Sequence, residues 1–74
     1  MIIFTKHSLL KLRHRGISKD LVVAALASPD FISDSRCGRA ICFKKFRKLY
    51  LKVVFKREAG DTVVITQYWV DKIN

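Results

Sequence analysis

The spacing of apolar residues changes once along the chain, near Pro29, from a helical period to an alternating one. Before Pro29, apolar residues recur at steps of three and four, as they do along the buried side of a helix. They are Leu21, Val22, Ala25 and Leu26. After Pro29, apolar and polar residues alternate, which is typical of strands with one buried face. The pattern therefore predicts an α+β fold.

Two short helices are predicted before Pro29 from their end signals. Thr5 can cap a first helix that runs to about Arg15, where Gly16 supplies the left-handed residue that commonly ends a helix. Ser18 can cap a second helix, which the stretch 28–30 ends because its proline disfavours helical backbone at the residue before it. The two helices are expected to meet at a tight corner.

Four strands are predicted after the helices, near residues 31–35, 39–44, 49–57 and 62–70. The third strand alternates apolar residues with largely basic ones, so one face should pack against the helices while the other stays open. The expected architecture is two N-terminal helices packed on a twisted four-stranded antiparallel sheet.

The loop of the last hairpin predicts a strand register. Residues 58–60 are typical of a three-residue loop with Gly60 in the left-handed conformation, which pairs Phe55 with Val63. Val63 would then face the core, and Tyr68 would lie on the open face among basic residues. A two-residue loop would shift the last strand by one residue and exchange its faces.

Length and composition limit the class of protein. The chain has 74 residues, half of them hydrophobic, and a formal net charge of +9. This length allows one domain, residues 1–74, and some of its apolar surface could be buried in a homodimer or against a partner. The apolar run at the start is too short for a signal peptide or a membrane span, so a cytoplasmic protein without membrane contact is expected.

The positive charge is concentrated between residues 36 and 57, which contain nine basic residues and no acidic one. They are Arg36, Arg39, Lys44, Lys45, Arg47, Lys48, Lys52, Lys56 and Arg57. Because apolar residues interleave with them, this charge is expected on a folded sheet, which favours a polyanion and RNA first. The predicted nucleic-acid-binding residues are Lys11, Arg39, Lys44, Lys45, Arg47, Lys52 and Lys56. The cluster at 44–48 is expected in a loop.

His7, Lys11 and Arg15 recur at steps of four on the first predicted helix and therefore share one side of it. An imidazole beside two cations suits phosphate chemistry, since histidine can move a proton near neutral pH and the cations can stabilise developing charge. A histidine near a helix start is also commonly a cap, and a row of Lys and Arg is commonly just solvated. The residues alone leave both interpretations open.

Metal-dependent chemistry is not favoured by the sequence. The six acidic residues are scattered and outline no metal cage, and neither a Gly-rich phosphate loop nor a serine elbow motif is present. Cys37 and Cys42, with His7 and His14, do not have the spacing of a zinc finger or ribbon. No metal or cofactor is expected. Cleavage of RNA would then use the RNA 2′-hydroxyl as the nucleophile, with protein side chains supplying a base, an acid and cations.

Several motifs together resemble a known family. They are Thr5-Lys6-His7, Lys11, Arg15-Gly16-Ile17-Ser18, Gly38-Arg39 and the closing stretch Val63-Val64-Ile65-Thr66-Gln67-Tyr68. Over nearly the whole chain they look like the small bacterial and archaeal domain of unknown function 4258. The chain departs from the family pattern at Lys11, where arginine is usual, and lysine offers a point charge in place of a planar fork.

This family is similar in element order and size to the RelE-like toxin ribonucleases, in which helices pack on a twisted antiparallel sheet with a basic open face. The resemblance implies a metal-independent endoribonuclease of a toxin-antitoxin system, neutralised by a small antitoxin protein. His7, Arg15 and Tyr68 would be catalytic, and Arg39 and Lys52 would help to hold phosphate.

Two other functions stay open at this point. In the first, the sheet is a non-catalytic nucleic-acid-binding module in which Phe46, Tyr50 and Tyr68 stack on bases. In the second, it is a protein-interaction domain for an acidic partner, because charge alone does not separate acidic proteins from nucleic acid.

Overall fold

The computed structural model describes residues 1–34 and 38–73 as two helices and five strands. In chain order they are β1 Ile2–Phe4, α1 Lys6–His14, α2 Lys19–Ala27, β2 Phe31–Asp34, β3 Arg39–Phe46, β4 Leu49–Glu58 and β5 Asp61–Val70. The strands form one sheet in the order β1-β5-β4-β3-β2. Because β1 is parallel to β5 and the other neighbours are antiparallel, the sheet is mixed.

The predicted four-stranded antiparallel sheet is therefore wrong, and the missing element is β1. This strand pairs with the start of β5, with Ile3 opposite Val63, and the Thr62 N–H donates to the Met1 carbonyl at 2.9 Å. The amino terminus also lies 3.4 Å from a carboxylate oxygen of Asp61. Both helices consequently follow a strand, and the predicted order of helices first is corrected.

The two helices begin at the predicted capping residues. The Thr5 hydroxyl accepts a hydrogen bond from the Ser8 N–H at 3.1 Å, and the Ser18 hydroxyl accepts one from the Leu21 N–H at 3.3 Å. Gly16, between the helices, has a φ of 61°, which confirms the left-handed corner.

Among the described residues, no helix is long and apolar enough to cross a membrane.

The core lies between the helices and one face of the sheet. Its buried residues come from both helices and from β3, β4 and β5, together with Ile17 in the corner between the helices. They are Leu12, Ile17, Val22, Ala25, Cys42, Leu51, Val53, Phe55 and Val64. The opposite face of the sheet has no helix against it in the part of the chain that the structure describes, and we call it the open face.

The register of the last hairpin differs from the prediction. The loop has two residues, Ala59 and Gly60, both with positive φ, so Phe55 pairs with Val64 and Val64 faces the core in place of Val63. A β-bulge then places one extra residue, Ile65, in β5. The bulge shifts the register a second time and returns the later residues of β5 to the faces that the sequence predicted.

The basic residues 44–48 do not form a loop, because β3 extends to Phe46 and the connection to β4 is only Arg47 and Lys48. Phe46 itself packs edge-on against Trp69, with the ring centres 6.2 Å apart, beside the core. The sequence interpretation had Phe46 stack on a base. In the structure its ring is instead packed against Trp69.

Candidate nucleic-acid interface

One row of side chains crosses the open face from β2 to β5. Its members are directly paired between neighbouring strands, and they are Phe31, Phe43, Lys52 and Tyr68. The Lys52 ammonium lies 5.7 Å from the centre of the Phe43 ring and 5.3 Å from that of the Tyr68 ring. Both distances allow attraction between a cation and the face of a ring. We call these four residues the cross-strand row.

Arg15 extends the cross-strand row beyond β5. Strand β1 pairs with β5 only as far as Val64, so within the described residues the later part of β5 has no strand on the edge away from β4, and α1 contacts β5 there. The Arg15 guanidinium carbon lies 5.4 Å from the centre of the Tyr68 ring. Its Nη1 also donates to the Gln67 carbonyl at 2.9 Å and to the Thr66 hydroxyl at 3.2 Å. The Tyr68 ring thus lies between two cations.

A buried polar pair fixes α1 against this edge of the sheet. The Ser8 hydroxyl donates to Oε1 of Gln67 at 2.6 Å, and Nε2 of Gln67 donates to the Ser8 carbonyl at 2.9 Å. Both residues are fully buried, and their polar side-chain atoms are satisfied. Because buried polar groups are costly unless paired, this contact specifies one position for α1 and so helps to hold Arg15 over Tyr68.

Accessibility divides the aromatic residues of the cross-strand row into two kinds. Phe43 is only 5% exposed and serves mainly to support the Lys52 side chain. Phe31 is 55% exposed and Tyr68 is half-buried, so their rings can be covered by a ligand. The row therefore combines accessible rings with fixed positive charge, which is how single-stranded nucleic acid is commonly held.

A groove opens beside this row at the turn between β3 and β4, and we call it the hairpin-end groove. It has a volume of about 670 Å³ and is lined by Asp30, Phe31, Lys44, Lys45, Arg47 and Tyr50. The Lys45 ammonium lies 5.7 Å from the centre of the Tyr50 ring, directly across from it on the open face. The groove thus brings together three of the predicted nucleic-acid-binding residues, namely Lys44, Lys45 and Arg47.

The other predicted cations of the sheet lie apart from the cross-strand row. Arg39 pairs with Lys56 across β3 and β4, four residues from the row, which is about 13 Å along a strand. The Lys56 ammonium forms an ion pair of 2.9 Å with Glu58. Ile41 and Val54 pair with each other between the two positions and separate the charges with apolar side chains. The open face is therefore not uniformly basic.

His7 and Lys11 share the side of α1 that carries Arg15, but neither is joined to the Arg15–Tyr68 contact. His7 is exposed, and no hydrogen bond or ion pair involves its imidazole in the described part of the chain. It lies eight residues before Arg15, or about 12 Å along the helix axis. Of the three predicted catalytic residues, the structure brings together Arg15 and Tyr68 and leaves His7 apart.

Phe31 and Phe43 were missed as site residues by the sequence interpretation. Their place in the cross-strand row depends on the pairing of β2 with β3, which is long-range information. The local signal was an aromatic residue at a position that alternation assigns to the open face. That signal was present for Phe43 in the sequence of β3, but a ring on a strand is more commonly part of a core.

Cys42 is the only cysteine among the residues that the structure describes. Its position does not suit reactive chemistry. The thiol is fully buried on the helix-covered face, and burial raises its pKa to about 11. Cys37 and Arg36 lie outside the described residues. Within residues 1–34 and 38–73, no three His, Cys, Asp or Glu side chains come together as a metal site.

The fold and the interface define a small protein with two helices on one face of a mixed sheet and rings and cations on the other. A family model matches residues 4–69, and the chain belongs to that family, which is described as domain of unknown function (DUF4258). No curated protein and no solved structure matched the chain. Similarity to the RelE-like ribonucleases, an antitoxin partner and a homodimer therefore stay predictions.

Proposed function

We propose that the protein binds single-stranded RNA on the open face, along the cross-strand row. The observation that carries this proposal is the Tyr68 ring held between two cations, with Arg15 at 5.4 Å and Lys52 at 5.3 Å from its centre. When a bound phosphate draws one of these cations from over the ring, a face of the ring is freed to stack on the neighbouring base.

A single strand fits this surface better than a duplex. The rings of the cross-strand row lie on a sheet face, where unpaired bases can stack, whereas bases inside a duplex are already stacked on each other. Readers of the DNA major groove commonly insert a helix or a β-ribbon, and here both helices pack on the core side of the sheet. The row offers neither, so it supports binding to unpaired nucleotides.

Binding is tested with a fluorescent RNA of unstructured sequence, measured by anisotropy over a range of salt concentrations. For a single strand, the slope of log affinity against log salt should decrease by about 0.7 for each phosphate that a variant no longer neutralises. Lys52→Gln should therefore weaken binding and lower the slope by about that amount. Tyr68→Ala should weaken binding by about 1–3 kcal/mol, the usual contribution of a stacked base.

Lys19→Gln is the matched control for Lys52→Gln. The Lys19 ammonium also lies over a ring, 5.6 Å from the centre of Phe4, but it does so on the side of the molecule that carries the helices. Lys19→Gln should leave the slope of log affinity against log salt unchanged. Equal reductions of affinity in the two variants would show that net charge alone matters and would remove the cross-strand row from the interface. Displacement of RNA by polyglutamate at matched charge would favour an acidic protein partner instead.

A second candidate function is metal-independent cleavage of the bound RNA, as expected of a toxin. The observation that favours it is the same Tyr68, because a phenol between two cations can transfer a proton next to groups that stabilise a phosphate. His7 would have to approach the bound RNA from α1, since no contact joins it to Tyr68 in the described residues.

Tyr68→Phe separates cleavage from binding, because it keeps the ring and removes only the hydroxyl. With a chelator present, we expect the unmodified protein to cleave RNA and Tyr68→Phe to bind it with similar affinity while cleaving far more slowly. If the unmodified protein leaves RNA intact at concentrations that saturate binding, the protein binds RNA without cleaving it. Undiminished cleavage by His7→Ala would remove His7 from the mechanism.

A further inference from the structure

We infer that the hairpin-end groove holds the phosphorylated terminal nucleotide of the RNA that lies on the cross-strand row. The inference rests on the proposed function for the rest of the strand, but it uses different residues. The groove adjoins the row, since Phe31 lines the groove and pairs with Phe43 of the row. It also lies at the end of the sheet, where β3 turns into β4.

The charge of the groove suits a terminal phosphate more than an internal one. Three cations and one carboxylate line it, which leaves a net charge of about +2. A terminal phosphomonoester carries about −1.5 to −2 at neutral pH, whereas each internal phosphodiester carries −1. The groove can therefore neutralise a terminal phosphate almost completely.

Two of the charged groups are already engaged by the protein. The Asp30 carboxylate accepts a hydrogen bond from the Lys45 N–H at 2.7 Å, and the Lys44 ammonium donates to the Ser28 carbonyl at 2.9 Å. Lys45 and Arg47 remain as the side chains whose charged ends make no hydrogen bond or ion pair within the described residues. We assign the phosphate to these two.

The rings of the groove supply a place for the base. Phe31 is 55% exposed, which is unusual for so large an apolar side chain in a strand, and the half-buried Tyr50 lines the same groove. A base placed against Phe31 would cover this apolar surface while its phosphate reached Lys45 and Arg47. The ligand class is thus a nucleotide with a free phosphate, and neither a nucleoside nor phosphate alone uses both parts of the groove.

The first test is an NMR titration of the full chain with adenosine 5′-monophosphate, with adenosine and inorganic phosphate as separate probes. We expect saturable shifts at Phe31, Lys45 and Arg47 with the monophosphate, and at least tenfold weaker binding of the other two probes. Arg47→Gly should weaken monophosphate binding about fivefold or more. No localised shift, or shifts of equal size at every basic residue of the chain, would overturn the proposal.

Ala59→Gly is the control for Arg47→Gly. Both replace a residue of positive φ in a two-residue turn, 61° at Arg47 and 51° at Ala59, but only the first removes a cation from the groove. Ala59→Gly should leave monophosphate binding unchanged. Because Ala59 lies at the other end of β4, an equal reduction of affinity in both variants would mean that a general effect of glycine in a hairpin turn, and not removal of the guanidinium, weakens binding.

The second test uses three RNAs of one sequence, with a 5′-phosphate, with a 3′-phosphate, and with neither. One terminal phosphate should raise affinity about tenfold, and in Arg47→Gly the ratio of the affinities for phosphorylated and unphosphorylated RNA should fall to about one. Equal affinities for all three RNAs would overturn the terminal-nucleotide site and leave the proposed function standing. Saturable monophosphate binding without binding of any RNA would overturn the proposed function and leave only a nucleotide site.

Discussion

The guanidinium of Arg15 lies over the ring of Tyr68, which brings a residue from the end of α1 onto the open face of the sheet. The same guanidinium donates to the Gln67 carbonyl and the Thr66 hydroxyl through Nη1. Its Nε and Nη2 make no hydrogen bond with the described residues and remain free for a phosphate. Arg15 therefore joins the helix to the sheet and can also contact a ligand.

Arg15→Lys should separate these two roles, because lysine keeps the charge but lacks the planar fork. We expect the free energy of unfolding to fall by about 1.5–3 kcal/mol, since a hydrogen bond to a charged group contributes roughly that much. Most of the RNA affinity should remain at temperatures where the variant is folded. Urea denaturation measures the first effect and RNA anisotropy the second.

Lys11→Gln is the control for this variant, since it alters a cation on the same side of α1 whose ammonium makes no hydrogen bond in the described chain. Its stability should change by no more than about 0.5 kcal/mol. An Arg15→Lys protein as stable as the unmodified one would show that the guanidinium hydrogen bonds do not hold α1 in place.

The buried pair of Ser8 and Gln67 should behave as a coupled unit. Ser8→Ala leaves Oε1 of Gln67 buried without its donor, which should cost about 1–3 kcal/mol. Gln67→Leu should be similarly destabilising, but the double variant should be more stable than the sum of the two effects predicts. A coupling energy of about 1 kcal/mol is expected from denaturation of all four proteins. Strict additivity would contradict a direct contact.

Stability should fall at alkaline pH because of Cys42. Burial raises the pKa of its thiol from 9.0 to about 11, so the unfolded chain releases this proton at lower pH than the folded protein does. The stabilisation of the folded state is complete below pH 9 and decreases as the pH rises toward 11. Two pKa units correspond to about 2–3 kcal/mol as an upper limit.

Cys42→Ala isolates this effect, because it removes the thiol and leaves every other ionisable group of the chain in place. The difference in unfolding free energy between the two proteins should be constant below pH 9 and should shrink by pH 11. Urea denaturation at intervals across this range measures it. A difference independent of pH would contradict a shifted thiol.

Glycine should be tolerated unusually well at position 47. Arg47 has a φ of 61°, a conformation that costs a non-glycine residue about 1–2 kcal/mol, so Arg47→Gly relieves strain that Arg47→Ala retains. We expect the glycine variant to be more stable than the alanine variant by about 0.5–1 kcal/mol, the reverse of the order inside a helix or strand. Thermal denaturation of both proteins tests this, and the usual order would show that the turn is unstrained.

The helix ends were predictable because their signals are local. Thr5 and Ser18 each bond a backbone N–H three residues ahead, and Gly16 takes a conformation that most residues avoid. Strand β1 was not predictable in the same way. Its three residues are too few to show alternation, and its partner strand begins near Thr62, at the far end of the chain.

The candidate site was predictable only in part for a related reason. The spacing of His7, Lys11 and Arg15 indicated one side of a helix, but it gave no sign of which member would reach the sheet. Tyr68 was assigned to the open face correctly although the loop register was wrong, because two successive shifts of one residue cancelled. Assembly of the cross-strand row depends on three strand registers together, and no local pattern contains that information.

The extra residue in β5 makes the interface depend on a count of residues as much as on their chemistry. If β5 paired without the bulge and Ile65 lay opposite Val54, Tyr68 would lie opposite Leu51 and face the helices, although every ring and cation of the chain would still be present. Deletion of Ile65 together with the bulge would keep Tyr68 on the open face, whereas loss of the bulge with Ile65 retained would invert the second half of the strand. A relative of this chain with one residue fewer in this segment should therefore pair without the bulge and keep the residue that corresponds to Tyr68 on the open face.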